Sequence, residues 1–154
     1  MALFSRKHKT PLGIYVHIPF CRSKCEYCDF YSLTCSDDGL MDDYLDAVCD
    51  HIREAGALAP GYRVDTIYFG GGTPSFFGAE SLAAVLTCLR KSFDVSPDAE
   101  ITFEANPDSV SDRLLRRLHS EGFNRVITII LVSVILVEGY VCDNSWTIHF
   151  KDYE

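Results

Sequence analysis

The chain has no excess of positive charge: 14 lysines and arginines stand against 22 aspartates and glutamates, a formal net charge of -8. That balance argues against a nucleic-acid backbone or an anionic membrane as the main partner, because both are bound through clustered cations. Small ligands suit it better. A long hydrophobic run is also missing. Met1 to Thr10 carries Arg6, Lys7 and Lys9 but leads into no apolar stretch of signal-peptide length. The uncharged run from Val126 to Val137 is twelve residues, against the roughly 20 a spanning helix needs. It therefore reads as a buried strand, no membrane span is expected, and the expected compartment is the cytoplasm. What the chain does have is seven cysteines, and in a reducing compartment clustered cysteines point to metal before disulfide. At 154 residues the length is that of one ordinary domain with a real core.

Short runs rich in β-branched and aromatic residues alternate with amphipathic ones. GIYVHI (13 to 18) reads as a strand. After it, Asp37 or Asp38 caps a helix whose Leu40, Tyr44, Leu45, Val48, Cys49 and Ile52 fall on one face. VDTIYFGGGTP (64 to 74) predicts a second strand ending in a glycine turn, and Ser81 to Phe93 a second helix. AEITFEANP (99 to 107) predicts a third strand. Ser111 then caps a helix that Gly122 stops, and Arg125 to Val137 supplies a fourth strand. This alternation predicts an α/β fold with a parallel sheet, in which loops after the carboxyl ends of the strands hold ligands.

One such loop carries Cys21, Cys25 and Cys28 within HIPFCRSKCEYCDF and no fourth cysteine at the next step. A four-iron cube is fully ligated by four thiolates, so three leave one iron open to a further ligand. A structural zinc site instead demands a tetrahedron, which Cys35 or His17 would have to complete. His17 in its strand, and Cys35, Cys49, Cys88 and Cys142 elsewhere, otherwise read as packing or hydrogen-bonding residues.

The spacing Cys21-x3-Cys25-x2-Cys28, with Tyr27 before the last cysteine, resembles the cluster motif of the radical S-adenosylmethionine superfamily. YVHIPFCRSKCEYCDF, DTIYFGGGTPS and EANP, in that order, resemble the branch that contains oxygen-independent coproporphyrinogen III oxidase and the heme chaperone HemW. The resemblance covers about residues 12 to 126. It implies a partial barrel of parallel strands, of which three βα units and a fourth strand, about half, are present: 1–12 as an extension, 13–126 as the half-barrel and 127–154 as a non-matching tail. It implies that Cys21, Cys25 and Cys28 ligate a [4Fe-4S] cluster whose open iron holds the methionyl group of S-adenosylmethionine. The turn of Gly70, Gly71, Gly72 and Thr73 would lie against that group, Glu104 would accept hydrogen bonds from the cofactor, and Tyr15 and Tyr27 would contact it. Heme or a porphyrin is a further implied ligand, and a reductant protein an implied partner. The activity so implied is one-electron cleavage of the sulfonium to a 5'-deoxyadenosyl radical.

Two departures qualify the resemblance. The oxidase subgroup has another cysteine where this chain has Phe30, which favours a HemW-like protein. After Arg125-Val126 the chain leaves the family pattern, as a truncated or frame-shifted product would. A sheet ending there would expose an open edge, and the alternative reading is an inactive fragment acting as an iron-sulfur or zinc binding module.

Overall fold

The structure, a computed structural model, describes residues 9–26, 28–35, 37–129 and 145–149. Strand β1 (Thr10–Ile18) leads into two short strands, β2 (Phe20–Cys21) and β3 (Leu33–Thr34). Helix α1 (Asp38–Leu58), strand β4 (Tyr62–Gly71), a single turn α2 (Pro74–Phe77) and helix α3 (Ala79–Ser92) follow. The chain continues through β5 (Val95–Ala105), a 3-10 turn at Pro107–Ser109, α4 (Asp112–Ser120), β6 (Arg125–Ile129) and β7 (Ser145–His149).

The main sheet has the order β1-β4-β5-β6-β7. Its first four strands are parallel, as the βα alternation predicts. Helix α1 packs on α3 and α3 on α4, so the three crossover helices lie on one face, as same-handed crossovers between successive parallel strands require. The period of two along each strand sends Val16 and Ile18, Ile67 and Phe69, and Ile101 and Phe103 to that face, where all six are buried. Leu82, Val85, Leu86 and Leu89 of α3 and Leu118 of α4 complete the core. Phe123, just after α4, packs edge-on against Phe103 at 5.6 Å and tilted against Phe69 at 5.1 Å. Such pairs add roughly 0.5–1.5 kcal/mol each beyond the area they bury.

Local signals place the helix ends. The Asp37 carboxylate accepts from the Gly39 N–H at 2.9 Å, and the Ser111 hydroxyl accepts from the Leu114 N–H at 3.2 Å, each satisfying an otherwise unpaired amide of the first turn. Within α1, Cys49 and Ile52 are buried but Leu40 is 45% exposed, so the apolar face starts one turn later than its spacing predicts. Helix α3 begins two residues before Ser81, after the separate turn α2. Strand β1 begins at Thr10 because Thr10, Pro11 and Leu12 pair with Tyr62, Arg63 and Val64. The edge of β6 is not open: β7 runs antiparallel along it, with Val126 opposite Ile148. Of the tail, 130–144 and 150–154 lie outside the described residues, Cys142 among them.

Candidate functional site

Three strands end side by side. In register, His17 of β1 stands opposite Gly70 of β4, and Phe69 of β4 opposite Phe103 of β5, so Gly70 and Glu104 are neighbours on the face away from the helices. Beyond these ends lies a cleft of about 560 Å3, lined by Cys21, Cys25, Cys28, Gly71, Gly72, Thr73 and Glu104 among others. Seven residues singled out from three separate stretches of sequence thus meet in one cavity.

The cysteine loop is held at its neck. Phe20 pairs with Leu33 and Cys21 with Thr34, so the chain between them leaves and returns at one place. Inside it, the Cys28 N–H donates to the Cys25 carbonyl at 3.1 Å. Cys25 is exposed and Cys21 and Cys28 are half-buried, all three as free thiols. Among the described residues, no three Cys, His, Asp or Glu side chains converge on a point where a single metal ion could sit.

The glycine turn is fastened to the same neck. The Gly72 N–H donates to the Ile18 carbonyl at 2.7 Å, the Thr73 N–H donates to the Phe20 carbonyl at 2.8 Å, and the Thr73 hydroxyl lies 3.6 Å from Cys21 Sγ as a donor. A Cβ on Gly72 would come within 2.7 Å of the Phe20 oxygen and 3.0 Å of Cys21 Sγ. Bare backbone is what lets turn and cysteine strand touch.

Glu104 is held by two donors: Tyr68 OH to Oε1 at 2.6 Å and the Gly71 N–H to Oε2 at 3.2 Å. Burial, the hydrogen bond to Glu104 and the charge of Glu104 together raise the Tyr68 phenol pKa well above its ordinary value, so Tyr68 is a permanent donor at neutral pH. Tyr15 is not in the cleft. It sits one row below, stacked on Tyr68 at 6.1 Å between centroids, and its hydroxyl meets His17 Nδ1 at 3.1 Å. His17 Nε2 lies 2.9 Å from the Tyr31 carbonyl. A carbonyl only accepts, so Nε2 carries the proton and Nδ1 accepts from Tyr15. His17 thereby ties the end of β1 to the exit of the cysteine loop, a packing and hydrogen-bonding role. Tyr27 lies outside the described residues.

Tyr68 was not among the sequence candidates, nor was Asn106, which lines the cleft. Strand alternation puts Tyr68 on the face of Gly70, but its link to Glu104 appears only once β4 and β5 are in register.

The family profile of the radical SAM superfamily matches residues 15–131. The chain belongs to that superfamily. It is 40% identical over 118 residues to the heme chaperone HemW of Mycobacterium tuberculosis, covering 75% of this chain and 30% of the relative. It is 35% identical over 122 residues to the oxygen-independent coproporphyrinogen III oxidase of Salmonella typhimurium, covering 79% and 27%. The solved coproporphyrinogen III oxidase (HemN) of Escherichia coli, a radical SAM enzyme, matches with a TM-score of 0.74 and 33% identity over 80% of this chain and 29% of its own. The chain thus spans about 30% of the length of the HemW relative it matches. Among the described residues no helix is long and apolar enough to cross a membrane.

Proposed function

We propose that this chain carries the cluster- and S-adenosylmethionine-binding part of a HemW-like radical SAM protein linked to heme or porphyrin metabolism. One observation carries the reading: the three thiols of the 21–28 loop open into the same cleft as the Gly71-Gly72-Thr73 turn and Glu104. Cys21, Cys25 and Cys28 would hold three corners of a [4Fe-4S] cluster, and the residues present fit it, since soft thiolates on a short loop are the donor set such clusters take. When bound, the cluster supplies the electron that cleaves the sulfonium of S-adenosylmethionine.

The chain's own residues prepare the place. Gly72 lets the turn approach the cysteine strand without a side chain between them. The Thr73 hydroxyl donates toward the Cys21 sulfur, a contact that orients this ligand from outside the cluster. Glu104, with one lone pair on each oxygen already used, offers the others to hydroxyl or ammonium donors in the cleft. Residues 13–126 form the N-terminal half of the partial barrel in this reading, with 1–12 an extension and 127–154 a separate tail. Phe30, which lines the cleft, and the higher identity to the HemW relative than to the oxidase support the HemW-like branch. Heme or a porphyrin is then the further ligand, and a reductant protein the electron source.

Anaerobic reconstitution with iron and sulfide, followed by electron paramagnetic resonance with and without S-adenosylmethionine, tests this. A cluster spectrum that changes when the cofactor is added is the expected result. Zinc at full occupancy with no cluster assembled would overturn it. Detection of 5'-deoxyadenosine under reducing conditions separates turnover from binding alone.

A further inference from the structure

Glu104 reaches the cleft from the carboxyl end of β5 on a side chain with three rotatable bonds, and such a carboxylate on its own samples many directions. Three features remove that freedom. The Tyr68 hydroxyl donates to Oε1 at 2.6 Å, within the short range of an O–H donor on a charged carboxylate. The Gly71 N–H takes Oε2 at 3.2 Å, so both oxygens are fixed and the carboxylate plane is set. Gly70 lies between the two partners and is bare. A Cβ there would stand 2.8 Å from Tyr68 Cε1 and 3.2 Å from Glu104 Cδ, so any larger residue at 70 would push the phenol and the carboxylate apart. The Tyr68 ring is itself kept in place by stacking on Tyr15. The sequence therefore holds open a path through which one specific donor reaches one specific acceptor.

We propose that Tyr68 is a positioning residue for cofactor binding, its hydroxyl orienting Glu104 so that the free lone pairs of the carboxylate face the cleft before S-adenosylmethionine arrives. The inference rests on the functional reading above and deepens it. Pre-orientation moves the cost of ordering Glu104 out of the binding step, so loss of the phenol hydroxyl weakens the cofactor without touching the cysteine loop.

The test uses the 154-residue chain after anaerobic cluster assembly, as parent, Y68F, E104Q and the double variant. Phenylalanine keeps the ring and its stacking and deletes only the donor. Y68F is expected to retain parental iron content, thermal midpoint and cofactor-free cluster spectrum, and to bind S-adenosylmethionine about tenfold more weakly, the scale of one lost hydrogen bond to a charged group. In the E104Q background the same change should cost less than about twofold, because the partner is already altered. Parental affinity in Y68F, or an undiminished tenfold loss in the E104Q background, overturns the proposal. An infrared spectrum supplies a readout that needs no cofactor: the carboxylate band lost in E104Q should shift in Y68F, and an unmoved band also overturns it. A parent that assembles its cluster but never binds S-adenosylmethionine refutes the functional reading instead, whatever Y68F does to that band.

Discussion

Replacing Gly72 by alanine should separate the chain's fold from its site. The backbone at Gly72 is not in the left-handed region, so alanine costs no conformational strain there; the effect comes from space alone. The added methyl would lie 2.7 Å from the Phe20 carbonyl oxygen, 2.9 Å from the Pro19 carbonyl carbon and 3.0 Å from Cys21 Sγ. These are roughly 0.5–1 Å inside the ~3.5–4.0 Å optimum for non-bonded atoms. Two of the three obstacles are backbone, held by the hydrogen bonds from Gly72 to Ile18 and from Thr73 to Phe20, and cannot rotate away. Overpacking of this kind costs about 1–3 kcal/mol. The stiffer unfolded chain of the alanine variant offsets about 0.4–1 kcal/mol. A net loss of roughly 1–2 kcal/mol remains, a fall of about 2–8 °C in melting midpoint for a domain this size. Relief must come by moving the strand that carries Cys21, so iron affinity after anaerobic reconstitution should drop about tenfold or more, as it does when groups orienting a metal ligand are disturbed. Gly61→Ala is the matched control, since nothing lies within 4 Å of its Cβ position. Calorimetry and iron analysis of both variants decide the matter. If Gly72→Ala equals Gly61→Ala in midpoint and in iron content, the close contact between turn and cysteine strand does not exist as described.

Other perturbations probe separate parts of the chain. Cys25→Ala removes the exposed thiol of the loop while leaving the core untouched, so iron content should collapse with the melting midpoint unchanged; undiminished iron would remove Cys25 from the ligand set. Burial and a hydrogen bond with Cys88 push the Cys49 thiol up from 9.0 to about 11. A raised thiol pKa gives stability that is complete below pH 9 and drains away as pH climbs toward 11, so the parent should lose stability across that window more steeply than Cys49→Ala, and parallel pH profiles would refute the shift. Asn124, just before β6, bonds twice to β5: its Oδ1 accepts from the Ile101 N–H at 2.8 Å and its Nδ2 donates to the Ala99 carbonyl at 2.8 Å. Asn124→Ala should lower unfolding free energy by about 1–3 kcal/mol with an unchanged denaturant slope, and a loss below about 0.5 kcal/mol would show that water replaces both bonds.

The division between what was readable in the sequence and what was not follows the range over which each signal acts. Asp37, Ser111 and the apolar strand runs act on their immediate neighbours, so helix starts and the parallel α/β order could be read from a few residues at a time. The cysteine spacing and the glycine triplet were equally local, and the order of strands was enough to bring them to one edge. Tyr68 was different. Its partner Glu104 is 36 residues away, and whether a tyrosine at that position meets a glutamate at that position depends on the offset between β4 and β5, which a register shift between Val64 and Thr66 alters. The pairing of β7 on β6 was hidden for the same reason: nothing in SWTIH names its partner.

The same alternation explains why the site and the core do not compete for residues. Along β4, Ile67 and Phe69 go to the helices and are buried, while Tyr68 and Gly70 go to the other face; along β5, Phe103 is core and Glu104 is site. One strand can therefore be tuned for stability on its odd positions and for ligands on its even ones, up to the point where the strand ends and the alternation must break. That break is Gly71. Its φ of +117 turns the chain out of the sheet in a conformation that costs other residues free energy. A Cβ there would also stand 2.7 Å from Nδ1 of His17, the nitrogen that accepts from Tyr15. A side chain at 71 would thus disturb the tie between β1 and the cysteine loop as well as the N–H that holds Glu104. The three glycines act differently: Gly70 leaves a path for a side chain, Gly71 turns the backbone, and Gly72 admits the neighbouring strand.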